Sequence, residues 1–158
     1  MKKKRYPKST PFWRFLFVVY ILVMLWLLFD RPSAQGAGLS YADLIRSNMN
    51  LTPLRTIGPY WERVKQMDFS PNFYHSFINL GGNIFLFSPV GYFMPRLRPF
   101  LRNFFSFLLA CTLAITLVEL LQLVTLLGSL DIDDLILNLF GMLTGYLLFM
   151  IFHKRGKK

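Results

Sequence analysis

The chain has 158 residues, of which 54% are hydrophobic and 16% are charged, and its formal net charge is +10. The apolar residues form long blocks instead of being dispersed, which excludes an ordinary soluble domain and favours an integral membrane protein. The single cysteine, Cys111, excludes an internal disulfide and a cysteine metal site, so cysteine usage does not indicate the redox compartment.

Four apolar blocks follow one another along the chain, and each can cross a bilayer as a helix. A helix of 18 residues rises about 27 Å, close to the roughly 30 Å of hydrocarbon in a bilayer. Open strands are excluded, because lipid cannot satisfy their backbone polar groups. The predicted spans are residues 12–29, 77–94, 104–127 and 135–152. Short connections make neighbouring spans antiparallel. The predicted fold class is therefore all-α, an integral membrane antiparallel four-helix bundle in which residues 1–158 form a single domain.

The first span has two interpretations. A basic segment precedes it, and small residues follow Ser33, as around the cleavage site of a signal peptide. Its apolar block is longer than the usual stretch of about 7–15 residues, and further spans follow, which favours an uncleaved anchor. Cleavage would not change the orientation of the other spans.

The first loop, residues 30–74, is the sizeable polar segment of the chain. Ser40 with Asp43 predicts a capping box at the start of a short helix. Pro59 suits the first turn of a second one, and Tyr60 with Trp61 suits the headgroup level of a membrane. We expect these short interfacial helices to lie over the bundle, because the loop is too short for a domain with its own core.

The basic residues predict the topology. Three segments without any acidic residue hold 13 of the 18: six up to the start of span one, three between spans two and three, and four after span four. Basic residues favour the cytoplasmic side. Both termini are therefore predicted to be cytoplasmic, and the first loop and the 128–134 turn to lie outside. This distribution argues against nucleic-acid binding and favours contact with anionic lipid.

Polar residues on three spans are predicted to lie at one depth, in the outer half of the membrane. Glu119 is the one acidic residue between residues 104 and 127, and a carboxylate in lipid costs about 2.5–3.5 kcal/mol on insertion scales. Helical spacing brings the following residues to the same level: His75, Asn79 and Asn83 on span two, Glu119 and Gln122 on span three, and Asp131, Asp134 and Asn138 at the start of span four. The sequence therefore predicts a small polar cavity open to the outer leaflet.

Structural roles also account for several of these residues. Gly141 and Gly145 form a Gly-x-x-x-Gly pair, which is typical of close helix packing. The asparagines could hydrogen-bond between helices, and one residue of the 131–134 segment could cap span four. His75 could be a simple interfacial histidine. Glu119 is the residue that packing explains least well, because buried acids in lipid usually have a function.

These motifs resemble those of VanZ-like proteins. In chain order they are Asn50-Leu51-Thr52-Pro53-Leu54, similar to Asn-Leu-x-Pro-Phe; Asn83 followed by Pro89-Val90-Gly91; Glu119-Leu120-Leu121-Gln122, similar to Glu-x-x-Gln; and Asp131-Ile132-Asp133-Asp134 followed by Asn138 and Gly141. The chain departs from the family at Leu54, where Phe is common, and at Gly128-Ser129, where some relatives have a basic residue. The resemblance implies a bacterial plasma membrane and a lower susceptibility to the glycopeptide teicoplanin, without an established reaction.

Three functions remain open from the sequence. The first is a non-enzymatic protein whose outer site binds membrane lipid, a lipid-linked cell-wall precursor or a lipoglycopeptide, with no cofactor and no metal. Its predicted ligand-binding residues are Glu119, Gln122, Asn83, Asp131, Asp134, Asn138, Asn79, Asn50 and Arg55. The alternative is a membrane-embedded hydrolase or transferase that acts on a lipid-linked substrate, with or without Mg²⁺ or Mn²⁺ held by carboxylates. A transporter ranks last, because no inverted repeat is visible.

Overall fold

The computed structural model describes residues 11–30, 38–67 and 69–155, with side chains described as far as residue 152. The basic segment before Pro11, residues 31–37 with the candidate cleavage site, and the last basic residues, Lys157 and Lys158, lie outside this part. In chain order the elements are α1 Pro11–Phe29, α2 Tyr41–Ser47, β1 Met49–Asn50, α3 Ile57–Gln66, α4 Pro71–Leu97, a 3-10 turn Pro99–Arg102, α5 Phe104–Thr125, β2 Leu130–Asp131 and α6 Ile132–Arg155.

Four of these helices, α1, α4, α5 and α6, are long and apolar enough to cross a membrane, which confirms the predicted helical membrane fold. Two of them begin earlier than the apolar blocks. α4 begins at Pro71, because Ser70 accepts a hydrogen bond from the Phe73 N–H at 3.2 Å and proline suits the first helical position. His75, Asp133 and Asp134, which precede the predicted spans two and four in the sequence, therefore belong to the helices themselves, whereas Asp131 lies in β2.

The first loop contains the two predicted short helices. The Ser40 hydroxyl accepts a hydrogen bond from the Asp43 N–H at 3.2 Å and donates one to the Asp43 carboxylate at 2.7 Å, so the predicted cap forms at the start of α2. α3 begins two residues before Pro59. Both helices lie at one end of the bundle, where the Tyr41 hydroxyl donates to the Val124 carbonyl at the end of α5 at 2.8 Å.

A short parallel pairing also joins the first loop to the connection between α5 and α6. Met49 is opposite Leu130 and Asn50 is opposite Asp131, and the Leu130 N–H donates to the Asn48 carbonyl at 2.9 Å. This two-residue pairing fixes the register between two segments that are 81 positions apart in the chain. It brings the Asn50 side chain beside the start of α6.

The closest helix pair of the bundle is α4 with α6. Sequential spans run in opposite directions, so these two, separated by α5, run in the same direction. Gly141 lies against the backbone of Ile84, and one turn further along Gly145 lies against the backbone of Ser88. A glycine on one helix lets the partner backbone approach closely. This contact confirms the packing role that the Gly-x-x-x-Gly pair indicates.

The two ends of the bundle differ in chemistry. The polar end carries the first loop and the α5–α6 connection. The basic end carries Arg14, Arg96, Arg98 and Arg102 at the start of α1 and around the α4–α5 connection. Between the two ends, the buried core is apolar and centres on Phe87, Phe107, Cys111, Ile115 and Tyr146.

Candidate functional site

Glu119 and Gln122 lie on the buried face of α5. Together with Ile115 they follow an i, i+4, i+7 spacing, and their exposed fractions are 1% for Ile115, 2% for Glu119 and 4% for Gln122. The Gln122 side-chain amide donates to the Leu28 carbonyl at 2.8 Å. Leu28 is in the last turn of α1, where carbonyls lack partners within the helix. Gln122 therefore holds the end of α1 against α5, which is a structural contact that the sequence did not indicate.

Asp131 connects the first loop, α5 and α6. One carboxylate oxygen caps α6 by accepting the Asp133 N–H at 2.8 Å. The other accepts the Thr56 hydroxyl at 2.8 Å and the Asn50 amide at 3.1 Å. The Asp131 N–H in turn donates to the Glu119 carboxylate at 3.3 Å. Three predicted site residues, Asn50, Glu119 and Asp131, therefore belong to one buried hydrogen-bond network.

Asp133 is fully buried and caps α3 from another helix. Its carboxylate accepts the backbone N–H groups of Leu54 at 2.6 Å, Thr56 at 2.7 Å and Ile57 at 3.0 Å. These donors lie at the start of α3, whose own N-cap residue, Thr56, makes no side-chain cap. Asp133 was expected only as one of three candidates to cap span four. Its role in the first loop was missed, as was that of Thr56, because no local pattern indicates a cap supplied from 77 positions away.

The other predicted site residues lie in different surroundings. Asn83 donates to the Asp134 carboxylate at 3.3 Å and so connects α4 to the first turn of α6. Asn79 donates to the His75 carbonyl of its own helix at 2.8 Å, and Arg55 is exposed on the first loop. Neither Asn79 nor Arg55 is a hydrogen-bond partner of Asp131. Asn138 is 3% exposed, and its buried Oδ1 atom has no hydrogen-bond partner among the described residues.

An apolar cavity of about 280 Å³ lies between the four spanning helices, and we call it the apolar slot. It is lined by Phe17, Ile21 and Met24 of α1, Phe87, Val90 and Met94 of α4, Ala114, Ile115 and Val118 of α5, and Met142 of α6. Several of these side chains are buried, whereas Ala114 lies on an exposed part of α5. The slot offers a shape for a hydrocarbon chain and almost no polar group.

Three predicted site residues lie one helical turn from residues that line the slot, on the side of the polar end, and we call them the polar layer. Asn83 precedes the slot residue Phe87 by one helical turn, Asn138 precedes Met142 by one turn, and Glu119 follows Ile115 by one turn. α5 runs opposite to α4 and α6, so all three displacements point toward the polar end. The fold therefore places an amide, a carboxyl and a second amide one helical turn beyond residues that line an apolar cavity.

The carboxyl groups of the polar end have protein partners of their own. Within residues 11–30, 38–67 and 69–155, no group of three His, Cys, Asp or Glu side chains is placed to hold a metal ion. Asp131 and Asp133 instead accept hydrogen bonds from the chain itself, and these bonds fasten the first loop. The arrangement combines an apolar slot with hydrogen-bonding groups one helical turn beyond its lining residues, the Asn138 amide oxygen among them.

A family model described as VanZ/LLP1 matches residues 17–153. This range contains α1 from its second turn, the first loop and the other three spanning helices. It includes every residue of the polar layer and of the Asp131 network. No curated protein and no solved structure matches the chain.

Proposed function

Because the chain belongs to the VanZ/LLP1 family of membrane proteins, we propose that it binds a lipid or another amphiphile of the cell envelope. The apolar chain of the ligand lies in the apolar slot and its polar group meets the polar layer. Binding in this way lowers susceptibility to glycopeptides such as teicoplanin. The observation that carries the proposal is the position of Asn83, Glu119 and Asn138 one turn beyond the slot.

Hydrogen bonding, and not apolar burial, gives this site its selectivity. Lipid tails are as apolar as the slot, so moving a chain from the bilayer into the slot gains little hydrophobic free energy. A buried acceptor without a partner, in contrast, costs about 1–3 kcal/mol. The Asn138 Oδ1 atom is such an acceptor. A ligand whose hydroxyl or N–H group reaches Asn138 recovers this free energy, and a plain hydrocarbon does not.

The proposed location is a bacterial plasma membrane with both termini in the cytoplasm. Arg14, Arg96, Arg98 and Arg102 all lie at the basic end, and short basic segments remain on the cytoplasmic side. The polar layer then lies in the outer half of the membrane. A ligand in the outer leaflet reaches the slot laterally, without crossing the bilayer.

Replacing Glu119 by glutamine tests the polar layer. The change keeps the size of the side chain and replaces one carboxyl oxygen by an N–H₂ group, which can only donate hydrogen bonds. We expect the variant, produced in a teicoplanin-susceptible bacterium, to lose at least half of the increase in inhibitory concentration that the parent chain confers. The measurement compares teicoplanin susceptibility at equal membrane abundance. Full resistance in Glu119→Gln at that abundance would remove Glu119 from the mechanism.

Filling the slot tests the proposal without touching any polar residue. Ala114 lines the slot from an exposed position on α5, so Ala114→Phe adds a ring at the slot with little strain on the core. We expect this variant to lose resistance and to retain less co-purifying lipid by mass spectrometry. Leu113→Trp is the matched control, because Leu113 is 62% exposed on the same helix and does not line the slot. Equal resistance in both variants would contradict a ligand in the slot.

A further inference from the structure

A second cavity, of about 410 Å³, lies at the basic end between α1, α4 and the 3-10 turn. Arginines and apolar side chains line it: Arg14, Phe17, Val18, Met94, Leu97, Arg98 and Leu101. No acidic residue is among these lining residues. The cavity thus combines two positive charges with an apolar wall, which is the chemistry that an amphiphile with an anionic head requires.

The arginines of the basic end divide into two pairs. The Arg96 guanidinium lies 5.2 Å from the ring centroid of Trp13. Arg102 donates through Nε to the Pro95 carbonyl at 3.0 Å. These two stabilise the α1–α4 contact and the turn before α5. Arg14 and Arg98, on different elements, both line the cavity.

The depth of the cavity matches the headgroup region of a membrane. Arg98 directly follows the last residue of α4, and Arg14 lies in the first turn of α1. Long basic side chains at the ends of spanning helices reach the interface with their charged tips. Phe17, Leu97 and Met94 continue the cavity wall from the arginines toward the apolar interior.

We propose that this cavity binds one anionic phospholipid, with the lipid phosphate at Arg14 and Arg98 and the start of one acyl chain along Phe17 and Leu97. Arginine is suited to this role, because its planar guanidinium can donate two hydrogen bonds to one phosphate. The site lies at the opposite end of the bundle from the polar layer. Its apolar wall adjoins the apolar slot, because Phe17 and Met94 line both cavities.

Trp13 provides a local probe of this site. The chain has three tryptophans, so a full-length Trp26→Phe, Trp61→Phe protein reports on Trp13 alone. It is reconstituted in phosphatidylcholine vesicles that contain a small fraction of phosphatidylglycerol with brominated acyl chains. We expect the brominated phosphatidylglycerol to quench Trp13 fluorescence more strongly than the same fraction of brominated phosphatidylcholine does. Each arginine near the membrane surface contributes about a fivefold preference for anionic lipid.

The matched variants test whether the preference belongs to the cavity. Arg14→Gln with Arg98→Gln is expected to abolish it, whereas Arg46→Gln with Arg63→Gln, which removes two charges from the first loop, is expected to leave it unchanged. Circular dichroism confirms that both proteins are folded. Equal loss in the two double variants, or no preference in the parent, would overturn the site. Excess inorganic phosphate at constant ionic strength is expected to leave the quenching of Trp13 fluorescence unchanged. If phosphate abolished the quenching, the cavity would be a simple anion site and not a phospholipid site.

Discussion

Gly145→Ala is expected to destabilise the folded protein by about 3 kcal/mol, because the added methyl group has no space. A Cβ atom at this position would overlap the carbonyl oxygen of Ser88 on α4. The obstacle is backbone and not a flexible side chain, so α4 and α6 must separate to accept it. Helix association in lipid depends on close packing, since lipid leaves little hydrophobic effect between helices. Unfolding in mixed detergent, followed by circular dichroism, measures the loss.

Gly82→Ala is the matched control, and we expect it to leave the free energy of unfolding unchanged or to raise it. A Cβ atom at Gly82 meets nothing closer than the Ile78 side chain at 3.9 Å, which is ordinary van der Waals contact. Alanine favours a helix over glycine by about 1 kcal/mol, so this variant is expected to be as stable as the parent or more so. If Gly145→Ala were equally stable, the close approach of α4 and α6 would be wrong.

The elements that depend on local chemistry could be predicted from the sequence. The four spans follow from apolar length alone, and the Ser40 side chain caps α2 where the pattern places it. The Gly-x-x-x-Gly pair indicates close packing, and the structure places both glycines against α4. In each case the residues that decide the structure lie within one or two helical turns of one another.

The contacts that cross the fold could not be predicted. Gln122 reaches the Leu28 carbonyl, 94 positions earlier in the chain. The pairing of β1 with β2 involves two residues on each side and has no apolar alternation to indicate it. Both contacts provide hydrogen-bond partners for backbone groups at the end of a helix or in a loop. The need for a partner can be inferred locally, but the identity of the partner depends on the tertiary arrangement.

The positions of the polar residues along the helices could be predicted better than their contacts. Helical period and topology predict one level for Asn83, Glu119 and Asn138, and each of them lies one helical turn from a residue that lines the apolar slot. Asp131, at the same end, is instead surrounded by donors from the chain, including Asn50 and Thr56. Periodicity gives the position of a side chain along a helix. Periodicity alone does not distinguish a carboxylate that holds a loop by hydrogen bonds from one that would contact a ligand.

Asp133→Asn is expected to release the first loop and to destabilise the protein by about 3–5 kcal/mol. The Asp133 carboxylate accepts three backbone N–H groups within 3.0 Å while fully buried. Hydrogen bonds to a charged group contribute about 1.5–3 kcal/mol each. Asparagine presents one oxygen and one N–H₂ group, so at least one buried donor would face another donor. Hydrogen exchange is expected to show lost protection at Leu54, Thr56 and Ile57.

Asp43→Asn is the matched control, since it makes the same chemical change at an exposed cap. Asp43 lies in the first turn of α2, where removal of a charge costs about 0.3–1 kcal/mol. If Asp133→Asn has no greater effect than this control, and the amides of residues 54–57 stay protected, the strand pairing and the hydrogen bonds of Asp131 and Tyr41 suffice to hold the first loop. If only Asp133→Asn greatly lowers the free energy of unfolding, Asp133 is the principal link between the first loop and the bundle. The main role of the segment Asp131-Ile132-Asp133-Asp134 is then to hold the first loop against the polar end of the bundle.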